Sequence, residues 1–519
     1  MSRPDASAIV DGSRTWTYAE VALSVGQTAA ALLECGVDRG DRVGVHLNKC
    51  AEGFVAMHAV VSIGAIAVPL DPASPPLRLA QICDRMQIDV LVSHKPRSRT
   101  VAAIHELRPL AAVVGSSAPA PGLRAIDVDE VGSFDPRPPV EVDAGSASYI
   151  ITTSGSTGEP KGMVHTHRSA LAYANMTLRT YGLCVNDRVT DIAPHHFDIS
   201  THSLWSVPLA GATNIVINEA HQRLPASHSQ LLEDEAVTYW YSVPFLLQQL
   251  VLRGDLKNRD LSAMRWVHFG GEMMAPSVIA EMMAHCPNAL FGNIFGPAET
   301  NQCSLAVFDT PPNEDEMLSV GEPLDHSDLR IIDPAADRPD LENVMTTGEM
   351  WAATPQLMEG YWQQPEVNAR VIVEVDGKRF YRTGDLVSVD ETGAMTFHGR
   401  VDHQVKVRGF RIELEGVELA LEKLGLVDHV VVAVDRRSSG EDVLVAGLIG
   451  AQRDLDHAAF LRSAASVLPR YAVPDQMVLL DDVTFTGSGK LDRRVLRERV
   501  LEKVNVHAQR IESFKKAAS

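Results

Sequence analysis

The stretch Thr152-Thr153-Ser154-Gly155-Ser156-Thr157-Gly158-Glu159-Pro160-Lys161-Gly162 decides how this chain is read. It follows an apolar run, 148–152, that reads as a strand. The glycines let the backbone turn sharply and come close to a ligand. Successive N–H groups in such a turn form a concave anion site. The hydroxyls of Thr153, Ser154, Ser156 and Thr157 add donors, and Lys161 adds a positive charge. A Walker-type loop needs Gly-Lys-Ser/Thr opening a helix. Here Lys161 is followed by Gly162 and Met163, so that reading fails. A flexible Ser/Gly surface loop is the plainer alternative, and the attached Pro160-Lys161-Gly162 argues against it.

On either side of this loop the pattern is α/β. Ala/Leu-rich helical stretches alternate with short apolar runs such as Val43-Gly44-Val45-His46-Leu47 and 65–70. That alternation predicts βαβ units around parallel sheets. Residues 115–145 are rich in Pro, Gly and Ala and read as a surface connection. From 345 to 400 the elements shorten into strands and glycine-marked turns. A boundary is expected near Arg400–Asp402, giving a large N-terminal domain (1–401) and a small C-terminal α+β domain (402–519). In the small domain the spacing predicts a helix over 415–424, a strand over 429–434 and a helix over 457–467.

Composition narrows the function classes. The 519 residues carry a formal net charge of -20. An acidic chain is a poor match for nucleic acid, whose binding relies on Lys and Arg neutralising phosphates. The charge itself reads as solubility. The six cysteines show no zinc-ligand spacing and read as reduced thiols of a cytoplasmic protein. No run approaches the ~20 apolar residues of a membrane span, and no apolar signal core opens the chain.

Further motifs lie along nearly the whole length. They are Gly64-Ala65-Ile66-Ala67-Val68-Pro69-Leu70-Asp71-Pro72, Asn293-Ile294-Phe295-Gly296-Pro297-Ala298-Glu299-Thr300 and Tyr381-Arg382-Thr383-Gly384-Asp385-Leu386. Gly399-Arg400-Val401-Asp402-His403-Gln404-Val405-Lys406-Val407-Arg408-Gly409 and Gly487-Ser488-Gly489-Lys490-Leu491-Asp492 follow. With the glycine-rich loop, these resemble the ordered motifs of the adenylate-forming superfamily. That superfamily includes acyl-CoA ligases, luciferase-like enzymes and the adenylation domains of nonribosomal peptide synthetases. The resemblance implies that a carboxylic acid attacks the α-phosphate of ATP and pyrophosphate leaves. Such a site supplies positive charge and orientation more than acid–base chemistry.

By the same resemblance, Thr153, Ser154, Gly155, Ser156, Thr157, Gly158 and Lys161 hold the phosphates. Gly270, Gly271, Glu272, Asn293, Phe295 and Gly296 contact the nucleotide. Asp385 takes the ribose hydroxyls, and Arg400 supports the ribose or phosphate. Lys490 bridges the acyl carboxylate and α-phosphate. Glu299 suits Mg²⁺, a cation that prefers oxygen ligands. The family usually has Thr before this Glu, and here it is Ala298, so one hydroxyl is lost. Asp402 falls at the family's hinge, about which a mobile C-terminal domain turns between adenylation and thioester formation. Lys490 is expected to serve the first state and the loop around Lys406–Gly409 the second. Lys490, Glu299, Lys161 and Thr153 are the expected catalytic residues. Their presence argues against a nucleotide sensor without catalysis.

The choice of acid turns on Pro194-His195-His196-Phe197-Asp198-Ile199-Ser200. Asp198 precedes a helix-like run, so an N-cap role is open. Its spacing also resembles the Phe-Asp-x-Ser of amino-acid-activating domains, where this Asp pairs with the substrate ammonium. A carboxylate in an apolar pocket is costly unless a cation meets it. The pocket implied is Asp198, Ile199, His202, Tyr241, Val267, Phe269, Ile294, Gln302 and Cys303, with Lys490 at the carboxylate. Bulky Tyr241 and Phe269 suggest a small α- or β-amino acid. His202 and Gln302 either bond a polar substrate or pack together. Phe197 either gates the acyl tunnel or is a core aromatic. No carrier-like Asp-Ser-Leu is present, so the expected acceptor is the phosphopantetheine thiol of a separate carrier protein, as in nonribosomal peptide or polyketide biosynthesis. An acyl- or aryl-CoA ligase is the alternative.

Overall fold

The computed structural model describes residues 3–117, 120–154, 159–315, 317–334, 345–401, 404–437, 441–450, 455–480, 483–484 and 491–504, with the side chain of Ser154 excepted. Two compact units emerge. One comprises Met1–Pro72, Ile82–Thr152 and Gly162–Asp402; the other comprises Ala73–Gln81, Thr153–Lys161 and His403–Ser519.

The first unit is built on three sheets. A nine-stranded sheet runs in the order Glu322–Pro323, Ser304–Phe308, Leu290–Phe295, Trp266–Gly270, Tyr239–Ser242, Arg188–Asp191, Thr213–Val216, Ser7–Asp11, Arg14–Thr17. Its central strands are parallel, while its edge strands pair antiparallel. An eight-stranded sheet contains Arg42–His46, Ile66–Pro69 and Ala147–Ser154, again parallel. All four residues of Ile66–Pro69 are buried, as expected of a parallel strand covered on both faces. A five-stranded antiparallel sheet follows, with Lys378–Val389 and Met395–Arg400 as neighbours. The 115–145 region departs from a plain surface connection. Its strand Arg124–Ile126 pairs parallel with Ala112–Val114, followed by a short helix, Val128–Val131.

The opening helix Tyr18–Glu34 starts with a capping box. The Thr17 N–H donates to Glu20 Oε2 at 2.7 Å, and the Glu20 N–H donates to Thr17 Oγ1 at 3.2 Å. Two otherwise orphaned N–H groups are satisfied, which fixes where the helix begins.

Strands of the nine-stranded sheet alternate faces residue by residue. Trp240, Val267, Phe269 and Phe291 enter one core with Leu247, Ile279 and Met282. Tyr239, Tyr241, Trp266 and Ile294 enter another, with Tyr173 and Tyr181 of the helix His167–Tyr181.

The longest segment of the second unit opens with a hairpin, Gln404–Val407 and Phe410–Glu413. Arg408 and Gly409 both have positive φ (54° and 85°), the two-residue turn whose twist matches its strands. The helix Leu414–Glu422, strands His429–Arg436 and Asp442–Ile449, helix His457–Val467 and strand Gln476–Leu480 follow. Val430, Val432, Leu444 and Leu448 face one core, and Val431, Val443, Val445 and Ile449 the other. Buried Glu418 ties this unit together, accepting from the Val432 N–H at 3.0 Å, Arg493 Nε at 2.7 Å and Arg497 at 3.1 Å.

Candidate active site

Two neighbouring parallel strands of the first unit carry several of the residues expected to contact the nucleotide. Gly270 ends one and lies in register with Ile294 near the end of the other. Their following loops, Gly271-Glu272 and Gly296–Thr300, therefore leave the carboxyl edge of the sheet, where open α/β sheets bind ligands. Gly271 has φ +98°, a conformation glycine adopts without strain. A Cβ at Gly296 would collide with the Asn301 carbonyl oxygen, so only glycine lets this loop fold back.

Glu299 is 1% exposed and accepts a 2.5 Å hydrogen bond from the Tyr361 hydroxyl, itself 3.2 Å from that of Tyr381. Asp385 lies opposite Arg400 in paired strands and forms an ion pair with it. Arg400 also donates to the Thr383 carbonyl at 3.0 Å, which fixes the guanidinium against the carboxylate. Asn293 donates to the Ser319 carbonyl at 2.8 Å, and Phe295 packs on Phe397 with centroids 5.7 Å apart. Among the described residues no group of three His, Cys, Asp or Glu could hold a metal unaided. A single buried carboxylate fits Mg²⁺ that keeps its waters and arrives with phosphates. Glu299 is the residue that would hold it, and the ion would offset phosphate charge.

Thr153 lies at the end of the strand Ala147–Ser154, and Lys161 at the start of Pro160–Thr166, both half-buried. Gly155, Ser156, Thr157, Gly158, Asp402 and Lys490, together with the Ser154 side chain, lie outside the described residues. Gly162 has a packing reason: a Cβ there would strike Met86 and Ile150.

Several of the residues expected to line an acyl pocket gather where the chain enters an unusual helix. Backbone carbonyls of Phe197, Asp198 and Ile199 accept from the N–H groups of Ser200, Thr201 and His202. The helix opening is thus closed by carbonyls. His202–Ser206 then forms a π-helix, with the Val207 N–H reaching back to the His202 carbonyl. Pro208 explains the widening, because it has no N–H and its ring clashes with the carbonyl four residues back. The freed carbonyls are taken up by side chains: His58 Nε2 donates to Leu204 O at 2.9 Å and Asn214 Nδ2 to Ser203 O at 3.1 Å.

Asp198 sits near enough to Tyr149, Tyr173 and Tyr241 to help raise their phenols, after the larger effect of burial. Ile199, Tyr241 and Ile294 share one core. Gln302 joins it through its amide, accepting from Tyr181 OH at 2.5 Å and donating to Tyr173 OH at 3.0 Å. Buried Cys303 is 3.0 Å from Thr300 Oγ1. Burial, with Asp385 contributing, pushes its thiol up to about 12. Phe197 is half-buried, in ring contact with His196 at 4.8 Å.

Two expected pocket residues do not belong to this group. Val267 and Phe269 point into the opposite core with Trp240. Tyr241 is in register with His268, so the residues sharing its face on the next strand are Trp266, His268 and Gly270. The expected pair was displaced by one position, and one position in a strand reverses the face. His268, Tyr173 and Tyr181, which share the face or core of Tyr241, were not among the residues expected there. Alternation counted from Tyr241 would have found His268, whereas the tyrosines come from a distant helix and left no local signal. Gln302 does not pair with His202: its amide is engaged by the two tyrosines, and His202 stacks on Tyr239 instead.

The fold is that of the adenylate-forming enzymes. A family model described as AMP-binding enzyme matches residues 1–362, and the chain belongs to that family. It is 31% identical over 498 residues to phenyloxazoline synthase MbtB of Mycolicibacterium paratuberculosis, covering 95% of this chain and 41% of that one. It is 31% identical over 507 residues to a linear gramicidin synthase of Brevibacillus parabrevis, covering 95% and 9% respectively. The chain therefore spans less than half the length of these curated relatives. Among solved structures, the Vibrio cholerae adenylation domain AlmE, in complex with glycyl-adenosine-5'-phosphate, matches with a TM-score of 0.81 at 19% identity, covering 96% of this chain and 95% of that one. Amide bond synthetase McbA of Marinactinospora thermotolerans matches with a TM-score of 0.82 at 23% identity, covering 95% and 97%. Among the described residues no helix is long and apolar enough to cross a membrane.

Proposed function

We propose that the chain activates an amino acid with ATP as an aminoacyl-adenylate and passes the acyl group to the phosphopantetheine thiol of a carrier protein. The observation carrying this reading is Asp198, a carboxylate close to the buried tyrosines Tyr149, Tyr173 and Tyr241. Such a group favours a cationic ligand, and the ammonium of an amino acid supplies one. A fatty or aryl acid does not. Support also comes from the likeness to linear gramicidin synthase and from the glycyl adenylate held by AlmE.

In the first step the substrate carboxylate attacks the α-phosphate, forming the acyl–phosphate bond as pyrophosphate leaves. Asp385, oriented by Arg400, accepts the ribose hydroxyls. Glu299, oriented by Tyr361, faces the phosphates. Thr153 and Lys161 serve the phosphates, and Lys490 is assigned to the reacting carboxylate by resemblance. In the second step the thiol sulfur attacks the acyl carbon, AMP leaves, and the thiol proton is lost to solvent.

Amino-acid-dependent ATP–pyrophosphate exchange tests the reading. Exchange with amino acids is expected. Exchange with simple carboxylic acids alone would favour the acyl- or aryl-CoA ligase alternative, whose fold this chain shares in o-succinylbenzoate CoA synthetase of Bacillus subtilis (TM-score 0.80, 21% identity, covering 96% of this chain and 97% of that one).

A further inference from the structure

The face of the nine-stranded sheet that carries Tyr241 holds a layer of buried polar rings: His202, Tyr239, Tyr241 and His268. Most of its hydrogen-bonding groups are matched internally. The Gln302 amide is engaged by Tyr181 and Tyr173, and Tyr239 OH is bonded to His268 Nδ1. Three ring nitrogens have no hydrogen-bond partner among the described residues: Nδ1 and Nε2 of His202, and Nε2 of His268. His202 is 1% exposed and His268 fully buried. Buried polar atoms are ordinarily paired, so three in one layer need an explanation.

Neither ring is placed to find a partner by swinging away. His202 stacks on Tyr239 (centroids 4.9 Å, 23°) and meets Tyr241 edge-on (5.7 Å, 89°). His268 is packed against Gly292, where a Cβ would collide with its ring. The π-turn made by Pro208 fixes the backbone of His202.

We propose that the activated amino acid completes this layer with an uncharged side-chain group that both donates and accepts hydrogen bonds, a hydroxyl or a carboxamide. The inference rests on the reading of Asp198 as the ammonium partner. Tyr241 links the two ends. The Asp198 carboxylate adds to the effect of burial in raising its phenol, and its ring meets that of His202 edge-on at 5.7 Å. Because Tyr241 neighbours both groups, an amino acid held by its ammonium at Asp198 would have its side chain near this layer. Burial keeps both imidazoles neutral, His202 down to about 3 and His268 well below the usual range. A neutral imidazole offers one N–H and one lone-pair nitrogen, matching a group that does both. A charged side chain would find poor compensation here, because the nearby ions, Arg265 and Asp187, pair with each other at 2.6 Å.

The test is ATP–pyrophosphate exchange on matched pairs: threonine with valine, homoserine with norvaline, asparagine with leucine, tyrosine with phenylalanine. In the best-used pair, kcat/KM for the polar member should exceed the apolar one by about 100-fold or more, since a site built for a hydroxyl rejects the analogue lacking it. His202→Phe and His268→Phe should each reduce that ratio about tenfold or more. The ratio is taken within one preparation, so partial misfolding cancels. Preference for the apolar member in every active pair, or a ratio that survives both substitutions, would overturn the inference while leaving amino-acid activation intact. Exchange with des-amino acids alone would instead overturn the reading of Asp198, and this inference with it.

Discussion

Asp198 and Lys490 carry the two residue-level claims. Removing one partner of a desolvated charge pair costs about 2–5 kcal/mol, roughly 30- to several-thousand-fold in affinity. Asp198→Ala should therefore lower kcat/KM for the amino acid by about 100-fold and leave des-amino analogues within about threefold. Equal loss for both classes would make Asp198 a structural residue. Lys490→Ala should depress adenylate formation far more than transfer from preformed adenylate, and equal loss in both half-reactions would contradict its role. Both assignments come from motifs in which the residues sit. His268 was not legible in the sequence, since nothing local in Val267-His268-Phe269 says which way a side chain points. Register against Tyr241 settles it.

At the scale of elements, a buried ion pair joins two sheets. Lys49, just after the strand Arg42–His46, pairs with Asp191, which ends Arg188–Asp191; their side chains are 3% and 2% exposed. Lys49→Met alone should destabilise the protein by about 3–5 kcal/mol, because it strands a buried charge. The double replacement with Asp191→Leu should recover most of that loss, as read by urea denaturation. If single and double variants are equally unstable, the charges are not coupled. The sequence shows where strands and helices alternate, and the strands at 42–46, 66–69 and 147–154 fall close to their expected positions. It does not show that Pro208 converts a helical turn into a π-turn, because that depends on His58 and Asn214 arriving to take the freed carbonyls.

For the whole molecule, burial of neutral histidines sets the response to acid. His46, His202 and His228 are pushed down to about 3, and His58 and His165 to about 4, chiefly by burial. In the unfolded chain each takes a proton near 6.5. Between about pH 4 and 6.5 the unfolded state thus binds more protons, so stability falls as pH falls through that window and levels off above it. Each histidine contributes up to about 1.4 kcal/mol per pH unit. Thermal unfolding at pH 5.5 should occur several degrees below that at pH 7.5; an unchanged or higher midpoint would contradict the assignment. The alternation of faces along Tyr239–Ser242 and Trp266–Gly270 has an engineering consequence. Positions 239, 241, 266 and 268 lie on the face of the sheet opposite Trp240, Val267 and Phe269. A combinatorial library confined to those four codons would vary one core while the residues of the other keep their identity.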